Sequence, residues 1–178
     1  TASGDYSHAE GFYTIAQGSY AHAEGERNIA SGQGSHAEGN FTTASNTWSH
    51  SEGWRTNASG PYAHTEGIDT AASAHAAHAE GIFTTAAGIG AHSEGEKSLA
   101  SGRASRTSGF QTTASDDYSF YAGKWSKSDK GALFVIGHGQ DYDRRGNIFS
   151  VSSGSVLIGS ASDIGKDVKF FVTGAVGN

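Results

Sequence analysis

Five residues of the pattern Ser-His-Ala-Glu-Gly return every 14 residues along this chain, and that step constrains the fold more than any other property of the sequence. The first copy spans residues 7–11. Six more begin at residues 21, 35, 49, 63, 77 and 91, with only Ala, Ser and Thr exchanging at the small positions. Two degenerate copies, residues 105–109 and 119–123, keep the step but lose the His and Glu. Nine copies in one register make this a repeat protein, in which each unit buries its surface mainly against its neighbours.

Midway between the copies sits a second motif, typified by Ile15-Ala16-Gln17-Gly18 and Leu99-Ala100-Ser101-Gly102, so the unit is two halves of seven residues. Two heptads also invite a helical reading. Glycine in most heptads excludes it, at roughly 1 kcal/mol each in a helix interior, and no apolar a/d stripe is present. About four residues of strand, closed by a turn carrying Gly, Asn or Asp, fit each half, because glycine accepts the positive φ of tight turns. The expected fold class is therefore all-β: a parallel β-roll, a solenoid of 14 residues per coil. Stacked about 4.8 Å apart, the coils make a rod on the order of 40 Å long.

Side chains alternate faces along a strand, so His8 and Glu10 share one face and Ala9 takes the other. Stacking then sets His8, His22, His36, His50, His64, His78 and His92 in one column. Glu10, Glu24, Glu38, Glu52, Glu66, Glu80 and Glu94 form a parallel one. The second half-unit holds alanine in every copy: Ala2, Ala16, Ala30, Ala44, Ala58, Ala72, Ala86, Ala100 and Ala114. A slot that admits only alanine is a narrow roll interior, where the two strands of a coil face each other. So thin a roll buries too little apolar surface to stand alone. The His/Glu face is the surface expected to meet a partner.

These motifs resemble the head repeats of trimeric autotransporter adhesins, which commonly read Ser-Val-Ala-Ile-Gly followed by a small Ala-x-Gly half. Here His and Glu replace the apolar pair. The Ser-His-Ala-Glu-Gly form is similar to arrays in phage neck-appendage and tail-fibre proteins. The resemblance covers residues 1–126 and implies a left-handed β-roll that associates as a homotrimer, followed by a small β-rich segment at residues 127–178. It also implies a structural and adhesive role in a phage fibre, with a bacterial surface adhesin as the alternative. The partners implied are two further copies of the chain and a host-cell glycan or protein. The location implied is a virion, the extracellular space or a cell surface.

Like charges about 4.8 Å apart repel unless an opposite charge intervenes. An intersubunit ladder answers this, with His of one chain meeting Glu of its neighbour. The carboxylate favours the charged imidazole, and desolvation opposes it. Equally spaced polar partners would also penalise a slipped register. Zinc or nickel is the competing use of a His-x-Glu column. Reuse in every coil marks architecture, whereas a metal site usually occurs once with its own outer partners. No metal or cofactor is expected on that ground. Nor do a unique nucleophile, base and orienting group stand together, so no catalytic residue is assigned and no enzyme activity is expected. His75 lies off the columns and reads as a solvent-exposed turn residue. Phe12, Tyr13, Tyr20, Phe41, Trp48, Trp54, Tyr62 and Phe83 recur near the corners. Outward aromatics can stack on sugar rings, but capping coil edges or wedging between subunits accounts better for that recurrence.

A net charge of −6 without basic clusters argues against nucleic acid. No apolar run approaches the roughly 18 residues of a membrane helix, so no membrane insertion is expected. Cysteine and methionine are both absent, which excludes thiol chemistry. From the missing methionine a processed or excised chain is expected, with further coils upstream. From Arg106 the signature decays, and Phe120 and Tyr121 fit a plug that seals the stack. A polar connector at residues 124–131 leads to strands at 132–137 and 147–151, paired as a hairpin, then at 155–159 and 167–172. Asp141 and Asp143 faintly echo a calcium loop, but its closing acidic residue is missing, which leaves a solvated turn. The last strand has no closing element, from which a continuing or cleaved chain is expected. A glycan-cleaving tailspike needs paired carboxylates rather than a uniform ladder. An ice-binding solenoid needs an unbroken threonine array, and Thr14, Thr42, Thr56, Thr70 and Thr84 supply an interrupted one.

Overall fold

The computed structural model describes residues 1–158, which form strands, turns and connecting loops without a helix. The strand expected at residues 167–172 lies outside them. The chain winds into a parallel β-solenoid of about nine turns with about 14 residues per turn. Each turn gives one strand to each of two sheets. The larger sheet opens with His8–Phe12, and successive strands pair in parallel with His8 over His22 and His22 over His36. The smaller sheet is made of two-residue strands such as Ile15–Ala16, with Ala16 over Ala30 and Ala30 over Ala44. The halves are therefore unequal, five residues of strand against two in most coils, where four in each half was expected.

Between the sheets lies a core of small side chains. Ala16, Ala30, Ala44, Ala58, Ala72, Ala86, Ala100 and Ala114 are fully buried, as the repeated slot predicted. Ala2 departs from the expectation and is exposed: its turn is the first of the stack, so only the bridge to Ala16 covers it. From the opposite sheet Ala23, Ala37, Ser51, Thr65, Ala79, Ser93 and Thr107 point into the same interior. The five threonines weighed as an outward array are buried too. Three of the hydroxyls serve the fold: Thr14 donates to the Glu10 carbonyl at 3.1 Å, Thr84 to that of Glu80 at 3.0 Å, and Thr56 shares a hydrogen bond with Ser51 at 2.8 Å. An ice-binding face built on these threonines is thereby excluded.

The corners differ from expectation in a second way. From Tyr6 to Trp125 every seventh residue is left-handed, with φ between 48° and 63°, and only Gly34 and Gly90 among them lack a side chain. This conformation costs a residue with a Cβ about 1–2 kcal/mol. Hydrogen bonds between coils offset it: the amides of Tyr20, Phe41 and Trp48 donate to the carbonyls of Asp5, Glu26 and Gln33 at 2.8, 2.9 and 2.8 Å. The corner side chains project outward at the coil edges, Tyr6 stacking on Tyr20 at 5.3 Å. His75 is exposed at such an edge, as expected, beside Tyr62. Glycine is needed elsewhere. Gly88 has no positive φ, yet a Cβ there would lie 1.9 Å from the carbonyl oxygen of Gly102 in the next coil.

The stack closes on larger side chains. Tyr121 takes the interior slot held one turn earlier by Thr107, buried with Ala114, Ala132 and Val135, and its hydroxyl donates to the Asp129 carbonyl at 3.0 Å. The larger sheet continues past residue 126: Ala132–His138 pairs in parallel with Phe120–Lys124, setting Phe134 over Phe120. Asn147–Ser152 and Ser155–Ile158 then add antiparallel strands, the first of them completing the expected hairpin. In the loop between, Asp141 accepts from the Arg144 guanidinium at 2.8 Å, which pulls its carboxyl below the usual range. That solvated turn is what the sequence predicted there.

Candidate functional site: the His/Glu face

The pleat of the larger sheet turns every His and Glu of the repeat to one face, while Ala, Ser or Thr between them fills the core. In-register pairing then stacks like on like. From His22 to His92 the imidazoles form one column, neighbouring ring centroids 4.6–4.9 Å apart and planes within 20° of parallel. His8 meets His22 edge-on at 5.2 Å. The carboxylates run alongside, and beyond them the repeat glycines leave the backbone bare. Glu10, Glu24, Glu38 and Glu52 with the adjoining glycines line a groove of about 770 Å³.

Within a single chain, imidazole and carboxylate of the same strand stand close. Nε2 lies 3.3 Å from the Glu oxygen in His8–Glu10, 3.5 Å in His22–Glu24 and 3.8 Å in both His36–Glu38 and His50–Glu52. Most of these distances exceed a hydrogen bond. The Nε2 atoms of His22, His36, His50, His64 and His78 are shielded from solvent and have no hydrogen-bond partner. A polar atom left so costs about 1–3 kcal/mol, so this face has unfilled bonding capacity along most of its length.

The pattern ends at Arg106, which replaces the eighth histidine. Its guanidinium donates to both Glu94 oxygens at 3.3 Å. His92, 3.7 Å from Glu94, lies 2.9 Å from Glu80 of the previous coil instead. The columns then change character. Above Arg106 stand Phe120 and Phe134, and above Glu94 come Ser108, Ala122 and Ile136. Phe120, Phe134 and Phe149 meet edge-on at 5.3 and 5.8 Å, all half-buried. Sequence reasoning missed this continuation. Its signal was legible, because Phe120 and Phe134 keep the 14-residue step.

The electrostatics of the face alternate. Glu52 is raised to about 7, chiefly because its protonated carboxyl donates to Glu38, with burial second, and Glu38 is lowered by the same bond. Glu80 and Glu66 repeat the arrangement, Glu80 raised and Glu66 lowered. Glu94 is lowered, first by the Ser108 hydroxyl and then by Arg106. Desolvation, followed by the neighbouring imidazoles, lowers His50 and His78. At these two positions it outweighs the carboxylates that were expected to favour the charged ring.

A carboxyl whose proton the fold holds more tightly stabilises the fold while protonated. For Glu52 that contribution is complete below the ordinary carboxylate range and is lost as pH rises through about 7. Glu52→Gln keeps a donor and cannot ionise. It should melt like the parent near pH 4 but be more stable at pH 8. The undiscounted gain is roughly 3 kcal/mol; solvent screening at a side chain 35% exposed reduces it to about 1 kcal/mol. Equal thermal melting of parent and variant at both pH values would show that the two carboxyls share no proton.

Four sets of three side chains among the described residues bring possible metal-ligating atoms within 4.8 Å of one another: Glu24/His36/Glu38, Glu38/His50/Glu52, Glu52/His64/Glu66 and His78/Glu80/His92. No family model matches this chain, and no curated protein is significantly similar to it.

Proposed function

We propose that the chain is a structural segment of a homotrimeric fibre, a left-handed β-roll whose His/Glu faces turn inward against one another. One observation carries this reading. A single sheet face holds five shielded, partnerless imidazole nitrogens and runs without interruption into the half-buried Phe120, Phe134 and Phe149. A second copy of the same face supplies what both parts lack: carboxylates at the same spacing for the imidazoles, and apolar area for the phenylalanines. The periodic match also favours copies in register over any slipped arrangement. The outer corners, rich in exposed Tyr, Trp and Phe, are then left to face the surroundings. The role is mechanical and adhesive, presenting that surface to a host glycan or protein from a virion or a cell surface. No catalytic chemistry is assigned to it.

Light scattering at neutral pH tests the assembly. The expected particle has three times the chain mass of 18.4 kDa. Phe134→Asp, placed on the apolar part of the face, should release monomers, whereas Tyr62→Asp at an exposed corner should leave the trimer intact. A parent chain that runs as a monomer overturns the proposal.

A further inference from the structure

One rung of the ladder is unlike the others. Three of the ligand sets are a single imidazole between two carboxylates, and they share Glu38 and Glu52 among themselves, so neighbouring sets compete for donors. The fourth, His78/Glu80/His92, contains two imidazoles and one carboxylate and shares no residue with the rest. Its origin lies in the side-chain contacts around Arg106. Arg106 engages both oxygens of Glu94, and His92 is turned across the coil boundary to Glu80. In-register pairing of His78 with His92 brings the second ring alongside, centroids 4.7 Å apart. The imidazoles keep their even spacing here; what changes is that His92 turns to Glu80, which sets two imidazoles and one carboxylate within 4.8 Å of one another.

We propose that His78, Glu80 and His92 form a binding site for a divalent transition metal of the zinc, cobalt and nickel class. Two imidazole nitrogens and a carboxylate, with a further position for water, are a donor set that zinc uses. Imidazole selects these ions over magnesium and calcium. In a tetrahedral zinc site ligand atoms stand roughly 3.3 Å apart. His92 Nε2 and Glu80 Oε1 are already at 2.9 Å and the whole set lies within 4.8 Å; the two rings, stacked within 13° of parallel, turn out of the column to aim both nitrogens at one ion. The Nε2 of His78 has no hydrogen-bond partner within the chain, so at this one rung an ion takes the place that a neighbouring copy's carboxylate holds elsewhere. The Arg106 guanidinium, a like charge to a bound cation, is paired with Glu94. All three ligands belong to one chain, so the site does not depend on the trimer.

The test is a cobalt titration of the untagged, chelator-stripped chain, followed by visible d–d absorption. The expected result is a tight cobalt site in the parent that His78→Asn and His92→Asn each weaken by at least about 100-fold, beyond the 10–100-fold typical of an outer-shell partner. His75→Asn, off the ladder, should bind as the parent does. Far-UV circular dichroism checks that each variant keeps its fold, and since the two substitutions act on adjacent coils, agreement between them guards against a folding artefact. No cobalt spectrum at millimolar metal, or binding unchanged in His92→Asn, overturns the site, as does equal loss in His75→Asn. Light scattering on the same samples separates this from the assembly: a monomer that binds cobalt keeps the site and loses the trimer, and a trimer without cobalt does the reverse.

Discussion

Gly39→Ala is expected to destabilise the array by about 4 kcal/mol, combining the cost of a strained φ with that of overpacking. Gly39 has a φ of +105°, and an added Cβ would stand 2.2 Å from the Gly53 oxygen and 2.9 Å from its nitrogen. Both are backbone atoms held in the sheet, so no side chain can rotate to make room. Relief requires the third and fourth coils to part, and with them the pairing of His36–Asn40 with His50–Trp54. Because each coil contacts mainly its neighbours, such a break divides the stack. Urea unfolding followed by far-UV circular dichroism should show an earlier, broader transition. Ser45→Ala, at an exposed position, should stay within about 0.5 kcal/mol of the parent. If Gly39→Ala also stays there, the coils are not as closely stacked as described.

Ala72→Leu should cost about 3 kcal/mol, at the upper end of what overpacking a closed core usually costs. Ala72 is fully buried between Ala58 and Ala86 within its sheet and clusters with Ala63, Ala77 and Ala79. A leucine at this point can be accommodated only by spreading the two sheets. Ala2→Leu offers an internal comparison, since the same substitution in the same slot falls on an exposed residue and should be nearly neutral. Similar melting temperatures for the two variants would contradict a closed alanine interior.

The step of the repeat made the solenoid legible, because a spacing of 14 residues with glycine in most halves has few other physical solutions. Alternation along the strand separated His and Glu from Ala correctly, and the alanine slot identified the interior in every coil with a neighbour on both sides. The corners were not legible in the same way. A preference for glycine at positive φ describes one residue in isolation, whereas Tyr20 or Trp48 holds that conformation through a hydrogen bond to another coil. The glycine of the second half was read as a turn residue, although at Gly88 its reason is the backbone of the next coil. The columns of the candidate site were legible, but the distinct rung at His92 was not. It depends on Arg106 drawing Glu94 aside, a competition between side chains on successive turns.

The unbroken register of the larger sheet also bears on how such a chain can change through descent. His22 lies on His36 and His36 on His50, always by the same offset. Excising or duplicating one whole unit therefore joins two ends that already match, and the backbone pairing on either side is restored. Few folds permit insertion or loss without repair elsewhere. Here length varies in integer steps, as a count of identical tiles, and recombination between the near-identical units supplies the means. The exceptions are the tiles bearing Arg106 and Tyr121, whose neighbours differ, so growth and shrinkage belong to the histidine-bearing stretch.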